Sequence, residues 1–379
     1  MRDRSKHTAT ATQWLANGDV GGTNSRMQLW EVDDEQPALR FDRRYQSRDF
    51  RSLESLVSTF LADSAAALEA APSSPPRLGE LAVVDALCVA ICGPVADETH
   101  TTGPVLPDQG PTGWDANIAT VLQGLGGAVR RARLINDFVA VGYGVPAVSA
   151  DAIEWLHQTP PTPTRASTSA RSRGVMAAVG AGTGLGGVYC TWHAGLSQYE
   201  AHPSEGGMGE FRALTDRQWR LRQFLLKEDG HATVESVVSG PGLHRCFAFV
   251  VREALSADKG AADLLAEVAS AADVTAAALS SDAAHHRRCR EALDLWLECL
   301  AAHLRQTALT LLPTGGLYLC GGIPPRIVSM LRESLAPGLF VADDVMGDFI
   351  RTHVPLALVT DDDVGLLGAR IRAEQLLQV

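Results

Sequence analysis

Asp19-Val-Gly-Gly-Thr-Asn-Ser-Arg26 is the stretch that decides how this chain is read. A short apolar run, Trp14-Leu15-Ala16, precedes it, and an alternating run, Met27-Gln28-Leu29-Trp30, follows. The pattern predicts strand, tight glycine turn, strand. Gly21 and Gly22 let the backbone turn sharply and bring N–H groups close to a bound anion. Asp19, at the strand end, is suited to hold a hydrated Mg²⁺ beside phosphates. A hairpin is not the Walker loop, which needs G-x-x-x-x-G-K-[ST] before a helix. The lesser reading of the segment alone is an ordinary Gly-Gly hairpin with a surface Asp.

A second stretch repeats the pattern. Val175–Val179 reads as an apolar strand, Gly180-Ala-Gly-Thr-Gly-Leu-Gly-Gly187 as a glycine turn, and Val188–Trp192 as another strand. The two copies lie about 160 residues apart, which predicts two similar lobes rather than a short-period repeat. Paired glycine hairpins could grip one polyphosphate from both sides. In the second copy Gly182, Thr183 and Gly184 are the turn residues.

Around these hairpins the chain reads as α/β. Leu53–Ala71 has helical spacing, with Pro72–Pro76 ending it. Ala86–Cys92 is a continuous apolar run, the pattern of a strand covered on both faces. Helices are predicted over Trp114–Leu125, 216–228, 242–256, 261–280, 284–311 and Val364–Leu377, and strands over Ala132–Ile135, Leu317–Cys320 and Pro355–Val359. Residues 103–113 and 159–173 read as loops, the latter long and rich in Pro, Thr, Ser and Arg.

Composition bounds the function. The chain has 379 residues, 46% hydrophobic and 20% charged, as a two-domain globular protein should. A net charge of −11 argues against nucleic acid as the main partner. Seven Cys sit mostly in apolar runs with no C-x-x-C pair, which favours buried thiols in a reducing cytoplasm over a zinc site. Met1–Thr12 lacks the apolar core of a secretory signal, and no membrane span is expected.

Four further segments carry candidate chemistry. In Leu134-Ile-Asn-Asp-Phe138 a short strand delivers Asn136 and Asp137 to its C-terminal end. Asp137 is placed to accept a proton from an attacking hydroxyl, and Asn136 to orient a neighbouring one. A helix cap explains the same pair equally well. Ser204-Glu-Gly-Gly207 and Val234-Glu-Ser-Val237 each offer a carboxylate, Glu205 and Glu235, able to accept strong bonds from vicinal sugar hydroxyls. Each is otherwise a solvated surface Glu. Gly321-Gly322, after a strand, would let an adenine or ribose lie against the backbone, or simply make a tight turn.

Taken in order, these segments resemble the bacterial glucokinases of the hexokinase–actin–Hsp70 ATPase superfamily. The likeness rests on DVGGTNSR (19–26), LINDFVAVGYGVP (134–146), GAGTGLG (180–186), SEGG (204–207), VESVVSGPGL (234–243), TGGLYLCGGIPPRI (314–327) and DDDVGLLGA (361–369). It implies a two-lobed actin-like (ribonuclease H-like) fold, with duplicated mixed-sheet domains around a central cleft. The small domain would span 1–146, completed by the C-terminal helix of 360–379; the large would span 147–359. It further implies ATP and Mg²⁺, and phosphoryl transfer to the 6-hydroxyl of glucose. By the same resemblance Asp137 is the base. Asn136, Glu205, Glu235, Gly182 and Thr183 contact sugar, with Met208 at a further sugar position. Asp19 lies near the metal, and Gly21, Gly22, Thr23, Asn24, Gly182, Thr183, Gly184, Gly321 and Gly322 hold the nucleotide. A homodimer is a family-level expectation.

Two departures bear on specificity. The family motif usually reads E-G-G-H, and its His touches the sugar; here the position is Met208. A thioether is a weak acceptor, so about 0.5–1.5 kcal/mol of sugar binding is lost, roughly three- to tenfold. Thr101-Thr102-Gly103 also replaces a Thr-Asn common in the family. A kinase for another hexose, such as mannose, fructose or an N-acetylated sugar, is therefore the main alternative, ahead of a non-catalytic sugar sensor. A sugar-responsive transcription regulator would need a helix-turn-helix of roughly 60–80 residues before the first strand, where only about a dozen residues stand.

Overall fold

The computed structural model describes residues 12–33, 37–70, 83–101, 114–158, 173–254, 261–280, 283–335 and 339–378. Residues 1–147 with 363–379 form one compact unit, and 148–362 a second.

In the first unit β1 (Gln13–Val20) turns back into β2 (Asn24–Val32), and β2 into β3 (Ala38–Gln46). Then come α1 (Leu53–Ala70), β4 (Val84–Ile91), the short pair β5 (Val95–Ala96) and β6 (His100–Thr101), α2 (Ile118–Gly124), β7 (Val129–Asn136) and α3 (Asp137–Gly144). The sheet order is β3-β2-β1-β4-β7. The β1–β2 and β2–β3 pairs are antiparallel; β1–β4 and β4–β7 are parallel. Every residue of β4 is buried, as its unbroken apolar run requires. Leu53, Leu56, Val57 and Phe60 put one face of α1 into the core. The C-terminal helix, Val364–Leu377, packs on β1, β4 and α3. It lies so close to α3 that a side chain at Gly368 would collide with the Ala140 carbonyl. Buried Asn17 joins helix to sheet: Nδ2 donates to Leu366 O (2.9 Å) and Oδ1 accepts from Trp30 Nε1 (2.8 Å).

The second unit has β8 (Ile153–His157), β9 (Met176–Ala181), β10 (Leu185–His193), β11 (Gln198–Ser204), β12 (Gly316–Cys320) and β13 (Leu356–Val359), in the order β11-β10-β9-β12-β13-β8. From β11 to β13 the senses run antiparallel, antiparallel, parallel, parallel, as in the first unit, with β8 added antiparallel at the edge. The repeated glycine hairpin thus belongs to a repeated sheet. The unit's helices are α4 (Asp216–Asp229), α5 (Gly240–Ala254), α6 (Ala261–Glu267), α7 (Ala271–Leu279), α8 (Ala283–Leu311), α9 (Val328–Ser334) and α10 (Val345–His353). Leu293, Trp296, Leu297, Leu300 and Leu304 of α8 recur at helical spacing and are buried in the core with Leu243, Phe247 and Val250 of α5.

Several sequence expectations are corrected. The helix expected over Trp114–Leu125 begins only at Ile118, because Asn117 caps it, accepting from Ala119 N (2.8 Å). The helix expected over 261–280 is two, since Ser270 starts a new one by capping Asp273 N. The strand read as Ala132–Ile135 runs over Val129–Asn136. The loop expectations for 103–113 and 159–172, and that for Pro72–Pro76, lie outside the described residues.

Candidate functional site

In the first unit, the β1–β2 register pairs Asp19 with Arg26 and Val20 with Ser25, leaving residues 21–23 as the turn. Gly21 N donates to Asn24 O (3.0 Å). The turn is pinned from the end of β3: Ser47 N donates to Thr23 O (3.0 Å), Ser47 Oγ to Gly21 O (2.7 Å), and Gln46 Nε2 to Asn24 Oδ1 (2.7 Å). Gly22 and Thr23 are exposed, and no described acceptor takes their N–H groups. A rigid turn with outward N–H groups suits an anion.

Asp19 is half-buried at the end of β1. Burial, and then the charge of Asp363, push its carboxyl above the usual range. Sequence reading missed Asp363 and the guanidinium that holds it. Arg26 Nη1 donates to both oxygens of Asp363 (2.7 Å each), while its Nε and Nη2 grip Asp42 (2.9 and 2.7 Å). The acidic run 361–363 was the only available signal, and 337 residues separate the partners. A half-buried carboxylate facing a second negative charge is relieved by a cation. The donor set therefore fits a divalent ion bound through one carboxylate and water, as Mg²⁺ beside phosphates is held. No cluster of three or more His, Cys, Asp or Glu ligands occurs among the described residues.

Asn136 and Asp137 stand where β7 becomes α3. Asn136 caps the helix: Oδ1 accepts from Phe138 N (2.9 Å) and Val139 N (3.2 Å), and Nδ2 donates to Gly93 O (3.0 Å). The amide nitrogen carries a second hydrogen that this bond does not use. Asp137 is the first helical residue, half-buried, with Oδ1 accepting from Phe138 N (2.9 Å). Asn136 thus closes the helix, and Asp137 holds its carboxylate at the helix start.

In the second unit, the β9–β10 register pairs Ala181 with Leu185, making Gly182-Thr183-Gly184 the turn, closed by Gly182 N to Gly184 O (2.9 Å). Gly182 O accepts from Gly240 N (2.7 Å), which brings the start of α5 to the turn. Glu235 lies against the same turn. Its Oε2 accepts from Leu185 N (2.8 Å), and a side chain at Gly184 would meet that oxygen at 2.7 Å. Its backbone is fixed as well: Glu235 N donates to Gly207 O (2.8 Å), and Ser239 Oγ donates to Glu235 O (2.7 Å).

Glu205 precedes the single turn Gly206–Met208 and is exposed, with no described residue bonded to its carboxylate. Gly207 is buried so close to the Leu185 carbonyl that any side chain would collide with it. Glu205, Glu235 and the glycine turn are therefore one stitched assembly. Met208 is 58% exposed, so its thioether faces solvent rather than core. Gly321, at φ +94, abuts Ala181, where a Cβ would meet the carbonyl oxygen at 2.5 Å. That places Gly321-Gly322 beside the turn too, and only glycine tolerates both constraints.

A mixed sheet that opens on a glycine hairpin, repeated in both units, is the fold of the sugar-kinase class. Comparison with known proteins narrows it. The glucokinase family model matches residues 16–376. The glucokinase of Synechocystis sp. is 30% identical over 392 residues, covering 97% of this chain and 99% of that one. The crystal structure of a glucokinase from an Antarctic psychrotroph superposes with a TM-score of 0.70 at 25% identity, covering 96% and 99%. That of Balamuthia mandrillaris glucokinase, in complex with glucose, shares the fold with a TM-score of 0.72 at 18% identity, covering 97% and 95%. The chain belongs to the glucokinase family, enzymes that phosphorylate glucose with ATP.

Proposed function

We propose that this chain transfers the γ-phosphoryl group of ATP to the 6-hydroxyl of glucose, with the two-lobed actin-like fold that its family likeness implies. The observation that carries the sugar half is the stitching of Glu205 and Glu235 to the Gly182–Gly184 turn through Gly207 and Leu185. Glu235 presents a fixed carboxylate and Glu205 an exposed one, a pair suited to vicinal hydroxyls.

Asp137 accepts the proton of the 6-hydroxyl as that oxygen attacks phosphorus. The second hydrogen of Asn136 Nδ2 donates to a neighbouring sugar hydroxyl and sets its direction. Outward N–H groups at Gly22 and Thr23 hold phosphate oxygens without reorganising, as preorganised donors do. Gly321-Gly322 leave room for the nucleoside beside the second hairpin. Asp19 would hold Mg²⁺, which supplies charge neutralisation on the phosphates when bound. No helix among the described residues is long and apolar enough to cross a membrane, and the net charge of −11 disfavours nucleic acid as a main partner.

Met208 favours a second substrate reading, in which another hexose is preferred. A coupled ADP-release assay over glucose, mannose, fructose and N-acetylated hexoses, with and without Mg²⁺, decides between them. Highest kcat/KM for glucose, dependent on Mg²⁺, is the expected result. Preference for another hexose reassigns the substrate, and no sugar-dependent ADP release would make the chain a sensor.

A further inference from the structure

A cavity of about 510 Å³ lies in the second unit, away from the hairpin turns. Its size falls within the roughly 300–1,000 Å³ of small-molecule pockets. One wall is a ribbon that pairs Phe211 N with Ala232 O (2.8 Å) and Val234 N with Gly209 O (2.9 Å). The other is the face of α8 bearing Cys299, Ala302, His303 and Gln306. The ribbon continues, through Glu235 N to Gly207 O, into the segment that carries Glu205 and Glu235. What fills the cavity therefore leans on the backbone that presents both carboxylates.

The lining describes an occupant. Phe211, Leu214, Val234 and Leu309 make it largely apolar. Arg305 is neutralised by Asp344 (2.6 Å), and Glu210 by Arg222 (3.1 Å). Arg212 is different: Nη1 donates to the neutral Gln306 Oε1 (3.0 Å), and no described carboxylate pairs with it. Arg212 is thus the lining guanidinium with no described carboxylate partner, and a carboxylate is its complementary ligand. No described residue hydrogen-bonds to the His303 ring, which burial holds neutral by lowering its pKa to about 4. That ring can give or take one further bond.

We propose that this cavity is an effector site for a small monocarboxylate with an apolar or aromatic body, read by Arg212 and His303, and that its occupancy alters glucose affinity through the ribbon. The coupling half rests on the sugar reading of Glu205 and Glu235; the binding half does not.

Phenylacetate is the probe. Its binding to the full chain is followed by saturation-transfer NMR without glucose or ATP, so that this arm stands or falls apart from the catalytic reading. The expected result is a saturable signal that Ala302→Leu abolishes by filling the cavity. Arg212→Gln, at an exposed position, weakens it roughly tenfold, and the neutral 2-phenylethanol binds about as weakly. Both variants keep basal turnover, and phenylacetate changes the glucose KM of the parent at least about twofold with kcat unchanged. An equal signal in either variant, or equal binding of the alcohol, overturns the site. Binding without a KM change overturns the coupling. A parent dimer split by Ala302→Leu, with no phenylacetate signal, would give the cavity to a second copy of the chain and also overturn it.

Discussion

Glu205 and Glu235 are both acidic but differently built. Glu235 has one oxygen committed to Leu185 N and its backbone bonded at both ends, whereas Glu205 stands exposed beside it in the chain's weave. Removing a charge from the exposed member should weaken sugar binding without moving the frame. Glu205→Gln is expected to raise the glucose KM about tenfold with kcat little changed, because hydrogen bonds to a charged group contribute roughly 1.5–3 kcal/mol. An unchanged KM removes Glu205 from the sugar site. Met208→His, at an accessible position, is expected to lower the KM about three- to tenfold; a higher KM would show that the thioether is itself a favourable contact. At this scale the residues in glycine turns were readable from their motifs. Asp363 and Arg26 were not, because their pairing exists only once 337 residues of chain have folded.

The β7–α3 junction shows what an element asks of its residues. Asn136 satisfies two helix-start N–H groups and the Gly93 carbonyl at once. Asn136→Ala should cost about 1–2 kcal/mol by loss of the cap, measurable as a lower denaturant midpoint. Asn136→Ser keeps a capping oxygen and should recover much of that stability while the glucose KM stays raised. Recovery of both would make the residue purely structural. Among elements, β4 was readable because every position is buried, and the long apolar stripe of α8 left no other assignment. β3 and β11 escaped notice. Both are edge strands, β3 with only Tyr45 buried and β11 with no buried residue, and β11 carries Pro203, so neither shows the buried apolar run that marks a central strand.

Across the whole molecule, the two units repeat one sheet order, which the echo of two glycine hairpins announced and nothing shorter-ranged did. Each unit carries its own core, and in the second unit His303 is a half-buried ring whose pKa burial lowers to about 4. Its folded pKa of about 4 lies below the unfolded value, so between about pH 6.5 and 4 the unfolded chain binds the extra proton. Stability is therefore expected to fall as pH drops through that window, and to gain nothing from this group above about pH 6.5. Denaturant melts of His303→Gln should show a flatter profile than the parent between those limits; parallel profiles would contradict the assignment.

The central claim is the proposal that Asp137 takes the proton from the 6-hydroxyl of the bound sugar. Following glucose 6-phosphate formation by ³¹P NMR in parent and Asp137→Ala, with glucose binding measured alongside by calorimetry, tests it most directly. The account predicts product from the parent and turnover lower by about 10²-fold or more in the variant, with glucose still bound. Near-parental turnover by Asp137→Ala would contradict it.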